Sequence, residues 1–162
     1  MILIEDTRQQ AGKHDLKNEY FASLGIEIWR FELPVGDYMI FGKGDKHVLI
    51  DTKKDVLELF QNLTHDHERF RNECIKAQAA GMTLYILIEE ELPNGKLTDW
   101  KSPVFKGNSA YHARGEAKTK MSPVTARKIM LSMTEKYGVQ FRFCAKKDTG
   151  RRIIEYLTGA RK

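Results

Sequence analysis

"VGDYMIFGKGDKHVLIDTKK", Val35 to Lys54, is the stretch on which the fold turns. Two short apolar runs, Asp37–Phe41 and His47–Thr52, flank GKGDK, Gly42 to Lys46, whose glycines and aspartate make a turn. This predicts a β-hairpin. Residues i and i+2 of a strand point to one face, so Asp51 and Lys53 share a face that Asp37 can reach from the neighbouring strand. Carboxylates drawn out of water cost free energy. Two readings of the hairpin follow. In one it faces solvent and carries an ordinary Asp–Lys pair, worth little to stability. In the other it holds a hard divalent cation, since Mg2+ takes one or two carboxylates together with waters and substrate phosphate. Such a metal activates water and polarises a phosphoryl oxygen, and a lysine beside it stabilises charge that grows in the transition state. The pattern alone leaves both open.

Outward from the hairpin, Met1–Glu5 is a short apolar strand and Leu16–Leu24 has helical spacing, stopped by Gly25. Ile26–Leu33 alternates as a strand, with Trp29 expected to pack. Asp55 or a neighbour caps a helix carrying Val56, Leu59, Phe60 and Leu63. A second helix spans about His65–Ala80, and MTLYILI, Met82 to Ile88, is a buried strand. Ser122-Pro123 starts a helix through Tyr137, Val139–Cys144 is a strand, and Asp148–Leu157 a closing helix. This order predicts an α/β fold with a mixed sheet, in a single domain over 1–162.

Cys74 and Cys144 stand far apart among apolar neighbours, which is neither a disulfide framework nor a zinc spacing. No apolar run is long enough for a membrane span, and MILIEDTR is too short and acidic for a signal peptide. A soluble intracellular protein with no membrane partner is the expectation. The net charge of +5 is unevenly spread. Residues 1–95 hold 11 Lys+Arg against 17 Asp+Glu, and residues 96–162 hold 16 against 5. An acidic half suits a cation and a basic half suits a polyanion. The segment 96–120 has no clear period and reads as a long basic loop. In it Trp100, Phe105 and Tyr111 alternate with Lys101, Lys106, His112, Arg114, Lys118 and Lys120, a composition that either stacks on bases and follows phosphates or folds its aromatics onto the core. The cluster His65-Asp66-His67 reads as capping residues of a helix start, because positions 65 and 67 do not face each other on a helix.

Four pieces in order, IEDTRQ (Ile4–Gln9), LPVGDY (Leu33–Tyr38), VLIDTKKDVLEL (Val48–Leu59) and HERFRNE (His67–Glu73), resemble the XPF/Hef-type (ERCC4-like) endonuclease domain of the PD-(D/E)xK nuclease superfamily. The resemblance covers most of the chain and is clearest over residues 1–92. It implies a restriction-endonuclease-like mixed β-sheet flanked by helices. It implies metal-dependent hydrolysis of DNA phosphodiester bonds with Mg2+ or Mn2+, leaving 3′-hydroxyl and 5′-phosphate ends, and no small-molecule cofactor. Asp37 and Asp51 would be metal ligands, with help from the Thr52 carbonyl, and Lys53 the catalytic lysine. Asp6 would lie near the metal water, Arg8 near phosphate, and Arg69 beside the cleft. Relatives often dimerise, so a homodimer is expected, and a free-standing small domain resembles phage or bacterial members. Asp51 stands where the family usually has Glu, and Thr52 where it usually has Arg. The tandem helix-hairpin-helix module of larger members does not occur in this sequence. The competing expectation is a nuclease-like module without catalysis, serving as a DNA-binding or scaffolding partner. RNA as substrate is a weaker third reading.

Overall fold

The computed structural model describes residues 1–10, 14–42, 47–105 and 116–160. The tip of the hairpin, together with Lys106, Tyr111, His112 and Arg114 of the basic segment, therefore lies outside the described residues. Six strands form one sheet: β1 (Ile2–Asp6), β2 (Glu27–Phe31), β3 (Tyr38–Phe41), β4 (Val48–Lys53), β5 (Thr83–Ile88) and β6 (Gln140–Phe143). Their order is β2-β1-β3-β4-β5-β6. Strand β3 runs antiparallel to β1 and β4, and the other pairs are parallel. Five α-helices accompany the sheet: α1 (Asp15–Ser23), α2 (Val56–Leu63), α3 (His67–Ala79), α4 (Pro123–Tyr137) and α5 (Thr149–Thr158). The mixed α/β architecture expected from the sequence is the one observed.

Alternation along β4 builds two cores. Val48 and Ile50 join Leu3, Tyr38, Ile40 and Leu87 beneath α1 and α5, through Phe21, Ile153 and Leu157. Leu49 joins Leu84, Ile86 and Ile88 on the opposite side, against α2, α3 and α4. Each fully buried aliphatic side chain contributes about 2 kcal/mol. Two helix starts, those of α2 and α4, follow their capping chemistry. The Asp55 carboxylate accepts from Glu58 N at 2.8 Å, and the Ser122 hydroxyl accepts from Thr125 N at 3.1 Å with Pro123 in the first turn. The two cysteines are free and sit in different cores.

Two expectations need correction. Trp29 does not pack into a core. It is 40% exposed beside Phe31 at 54%, because β2 is an edge strand and this side of it carries no helix in the cores described above. The segment 96–120 is not irregular throughout. Leu97–Asp99 is a 3-10 turn, Val104 pairs with Ala117, and Trp100 is buried against Phe60, its Nε1 donating to Glu90 Oε1 at 2.8 Å. Trp100 is thus a core residue and not a stacking platform. Among the described residues no helix is long and apolar enough to cross a membrane.

Gly36 fixes where the hairpin begins. Its φ is +75°, and a Cβ there would lie 2.9 Å from the Ile50 carbonyl oxygen. Gly36→Ala is expected to cost about 2–4 kcal/mol, from the left-handed backbone and the backbone clash together. A urea midpoint lowered with unchanged slope would show it. A variant as stable as the parent would mean that this turn is not strained by a side chain.

Candidate active site

One rung of the sheet assembles the acidic residues. Glu5 is opposite Tyr38 and Tyr38 opposite Ile50, so Asp6, Asp37 and Asp51 occupy the next positions on three adjacent strands. Backbone bonds hold them there: Asp6 N donates to Asp37 O at 2.8 Å, and Asp37 N to Ile50 O at 2.7 Å. Gly36 turns the chain away from β4 at this point. The Asp37 carboxylate takes the Thr52 N–H, with Oδ2 accepting from Thr52 N at 2.7 Å and Thr52 Oγ1 at 2.6 Å. Thr52 therefore clamps Asp37.

Asp51 and Lys53 share a face, as their spacing predicts, and both are buried. Lys53 Nζ lies 2.8 Å from Asp51 Oδ2. Its ammonium also sits 5.9 Å from the centre of the Phe70 ring on α3. That ammonium is the partner of Asp51 Oδ2 in this buried setting. Burial pushes the Asp51 carboxyl above the usual carboxylate range, opposed by Lys53 and reinforced by the Asp37 charge. Burial works against the Lys53 charge as well, but the Asp51 and Asp37 carboxylates outweigh it and its affinity for a proton is raised. Desolvation thus favours the proton on Asp51, while the two nearby carboxylates favour it on Lys53. Glu73 on α3, which the sequence reading did not single out, adds negative charge felt by Asp51, Arg8 and Cys74. Its position three residues after Phe70, the ring beneath Lys53, is the signal that would have found it.

The Asp6 carboxylate is spent on local bonds. Oδ1 accepts from Arg8 N and Nε, both at 2.7 Å, and Oδ2 from Arg8 Nη2 at 2.9 Å and Leu33 N at 2.6 Å. Arg8 Nη2 also reaches Leu33 O at 2.7 Å. Burial alone would raise the Asp6 carboxyl, yet these bonds hold it below the usual range. As drawn, Asp6 and Arg8 latch the end of β1 to the segment that leads into the hairpin. Arg69 is exposed and lies 3.8 Å from Asp66 on its own helix. Asp66 is the N-cap of α3, although its side chain makes no capping bond. Lys101, Lys118 and Lys120 are exposed, and Lys118 lies 6.0 Å from the Phe105 ring centre.

A second polar group lies on the other face, and local patterning did not show it. Buried Lys17 on α1 pairs at 2.5 Å with half-buried Glu89, just beyond the end of β5. Buried Glu5 lies 3.3 Å from Arg30. Lys17 sits 5.8 Å from the centre of the Tyr38 ring.

The donor set suits a hard cation. Asp51 offers a buried carboxylate beside the Lys53 ammonium, and Asp37 offers the oxygen that Thr52 does not engage. Among those residues no group of three or more His, Cys, Asp or Glu side chains is arranged around a metal position. A cation here would rely on two carboxylates, water and phosphate, the habit of Mg2+.

Comparison with solved structures finds XPF from Aeropyrum pernix, at 17% identity and a TM-score of 0.64, over 97% of this chain and 63% of that one. XPF from Aeropyrum pernix in complex with DNA matches at 17% identity and a TM-score of 0.62, over 98% of this chain and 63% of that one. These likenesses show the fold. The chain spans less than two thirds of the solved proteins it matches. Comparison with curated proteins finds no match. The family model described as ERCC4 domain matches residues 5–157. The order of strands, the hairpin with its Gly-Asp-Tyr start and this match agree: the chain belongs to the ERCC4 domain family, the nuclease family its sequence resembles.

Proposed function

We propose that the protein is a divalent-metal-dependent DNA endonuclease that hydrolyses phosphodiester bonds. The observation that carries the reading is the Asp37–Asp51–Lys53 arrangement, two carboxylates at paired positions of adjacent strands with a buried ammonium 2.8 Å from Asp51 Oδ2. Asp37 and Asp51 would hold Mg2+ or Mn2+, with the Thr52 carbonyl adjoining. When bound, such a metal supplies an activated water and polarises the phosphoryl oxygen.

The chain's own residues do the rest. Thr52 fixes the Asp37 carboxylate through its N–H and hydroxyl. Phe70 and the surrounding core keep Lys53 out of bulk water, which strengthens its attraction for charge that grows on phosphate. The Asp6–Arg8 latch holds the rung in register, and the exposed part of Arg8 faces outward where a phosphate can approach. DNA is the substrate and Mg2+ or Mn2+ the cofactor in this reading, and a homodimer is its expected assembly.

The test is cleavage of end-labelled single-stranded, duplex, flap and forked DNA with Mg2+, with Mn2+ and with EDTA. Cutting that requires metal is the expected outcome. Calorimetric titration with Mn2+ is expected to show binding. DNA that is bound but never cut, by a protein that takes up no Mn2+, would instead identify a nuclease-like binding module.

A further inference from the structure

Helix α3 borders a groove of about 430 Å³ between itself and α4. His67, Arg71, Lys128, Ser132, Lys136 and Tyr137 line it, with Ile129 and Met133 as its floor. Three cations converge there and no carboxylate is among the lining residues. Arg71, Lys128 and Lys136 form no ion pair among the described residues, unlike Arg69, Arg151 and Arg152. Lys136 rests 5.4 Å from the Tyr137 ring centre, and the His67 ring is not pinned, since its Nδ1 has no hydrogen-bond partner among the described residues. The groove itself is braced, because Gln78 Nε2 on α3 donates to Lys136 O on α4 at 3.1 Å. Like charges gathered without a counter-charge create a potential that an anion relieves.

The groove also has a fixed relation to the acidic rung. Phe70, the ring beneath Lys53, lies between His67 and Arg71 in the sequence of α3.

We propose that Arg71, Lys128 and Lys136, with the Ser132 hydroxyl, bind backbone phosphates of the same DNA duplex whose reacting bond is positioned at Asp51. The assignment rests on the DNA-nuclease reading above. Contacts of this kind position the duplex without reading its sequence.

The experiment is fluorescence anisotropy of a labelled blunt duplex in EDTA, where nothing is cut, across a salt series. The proteins are the parent chain, the triple variant Arg71→Ala/Lys128→Ala/Lys136→Ala, and the single variants Lys128→Ala and Lys147→Ala. The altered side chains are exposed, so thermal melting should be unchanged. The triple variant is expected to bind about tenfold or more weakly, with a log–log salt slope shallower by about 2 to 3. Lys128→Ala should reduce the slope by about 1, and Lys147→Ala, outside the groove, should leave it unchanged. A triple variant with the parent's slope, or a Lys147→Ala effect equal to that of Lys128→Ala, overturns the groove assignment while leaving the nuclease reading standing. A parent chain that binds no DNA overturns both.

Discussion

Asp51→Asn is expected to lower the single-turnover rate of DNA cleavage at least about a thousandfold, equivalent to about 4 kcal/mol of transition-state stabilisation. The amide keeps the size of the side chain and leaves an oxygen to face Lys53, so the carboxylate charge goes with little change in packing, though the buried ammonium loses its counter-charge. What disappears is the anionic oxygen that would hold the metal. Two further readouts separate this from general damage. Duplex binding in EDTA should be equal or tighter, because a negative charge near the phosphate has gone. The calorimetric signal with Mn2+ should weaken or vanish. Cleavage by Asp51→Asn at the parent's rate would sink the mechanism, whatever the fold resembles.

The second large effect concerns the partner of Asp51. Lys53→Met keeps a long apolar stem over Phe70 but leaves the buried carboxylate without its cation. Removing one member of a buried pair costs about 3–5 kcal/mol, more than an intact pair contributes. The cost should depend on pH. Burial already raises the Asp51 carboxyl, and loss of Lys53 raises it further. A carboxyl whose folded pKa lies above its unfolded one binds more protons in the native state, so stability falls as pH rises through the folded value. Urea unfolding of Lys53→Met should therefore show a full penalty at pH 8 or above and a smaller one near pH 6. Adding Asp51→Asn to Lys53→Met should recover much of the loss, because the stranded charge is gone. A penalty that is flat with pH would show that Asp51 is not the group being stranded.

The parts of this structure legible in the sequence are those written in local periodicity. Alternation in VLIDTK placed Asp51 and Lys53 on one face, and the hairpin put Asp37 opposite Asp51. Asp55, Ser122 and Gly138 mark helix ends because capping is a matter of a few adjacent residues. The membership of the family lay in four short motifs, and their order carried it. What stayed hidden depends on partners far along the chain. The Asp6 carboxylate is saturated partly by an N–H at Leu33, and Lys17 meets Glu89 from a distant strand end. Nothing near either residue announces those bonds. Trp29 has the look of a core residue because alternation tells which residues share a face, not whether that face is covered. Trp100 was ambiguous for the same reason: its neighbours are polar, and only the packing of the 3-10 turn onto Phe60 decides its place. The roles expected for Lys106 and Arg114 lie outside the described residues.

Strand β4 gives alternate side chains to two separate cores, and the acidic rung is carried by that strand and its neighbours. Moving Asp51 by an ångström would disturb packing on both sides of the sheet at once, and close-packed interiors resist such displacement. In the proposed reaction the protein is accordingly the stiff partner. Its catalytic groups do not swing towards a phosphodiester, so the bend or twist that seats one must come from the nucleic acid. Substrates would then rank by how readily they deform, and a nicked or mismatched duplex should be seated more easily than an intact one of the same length.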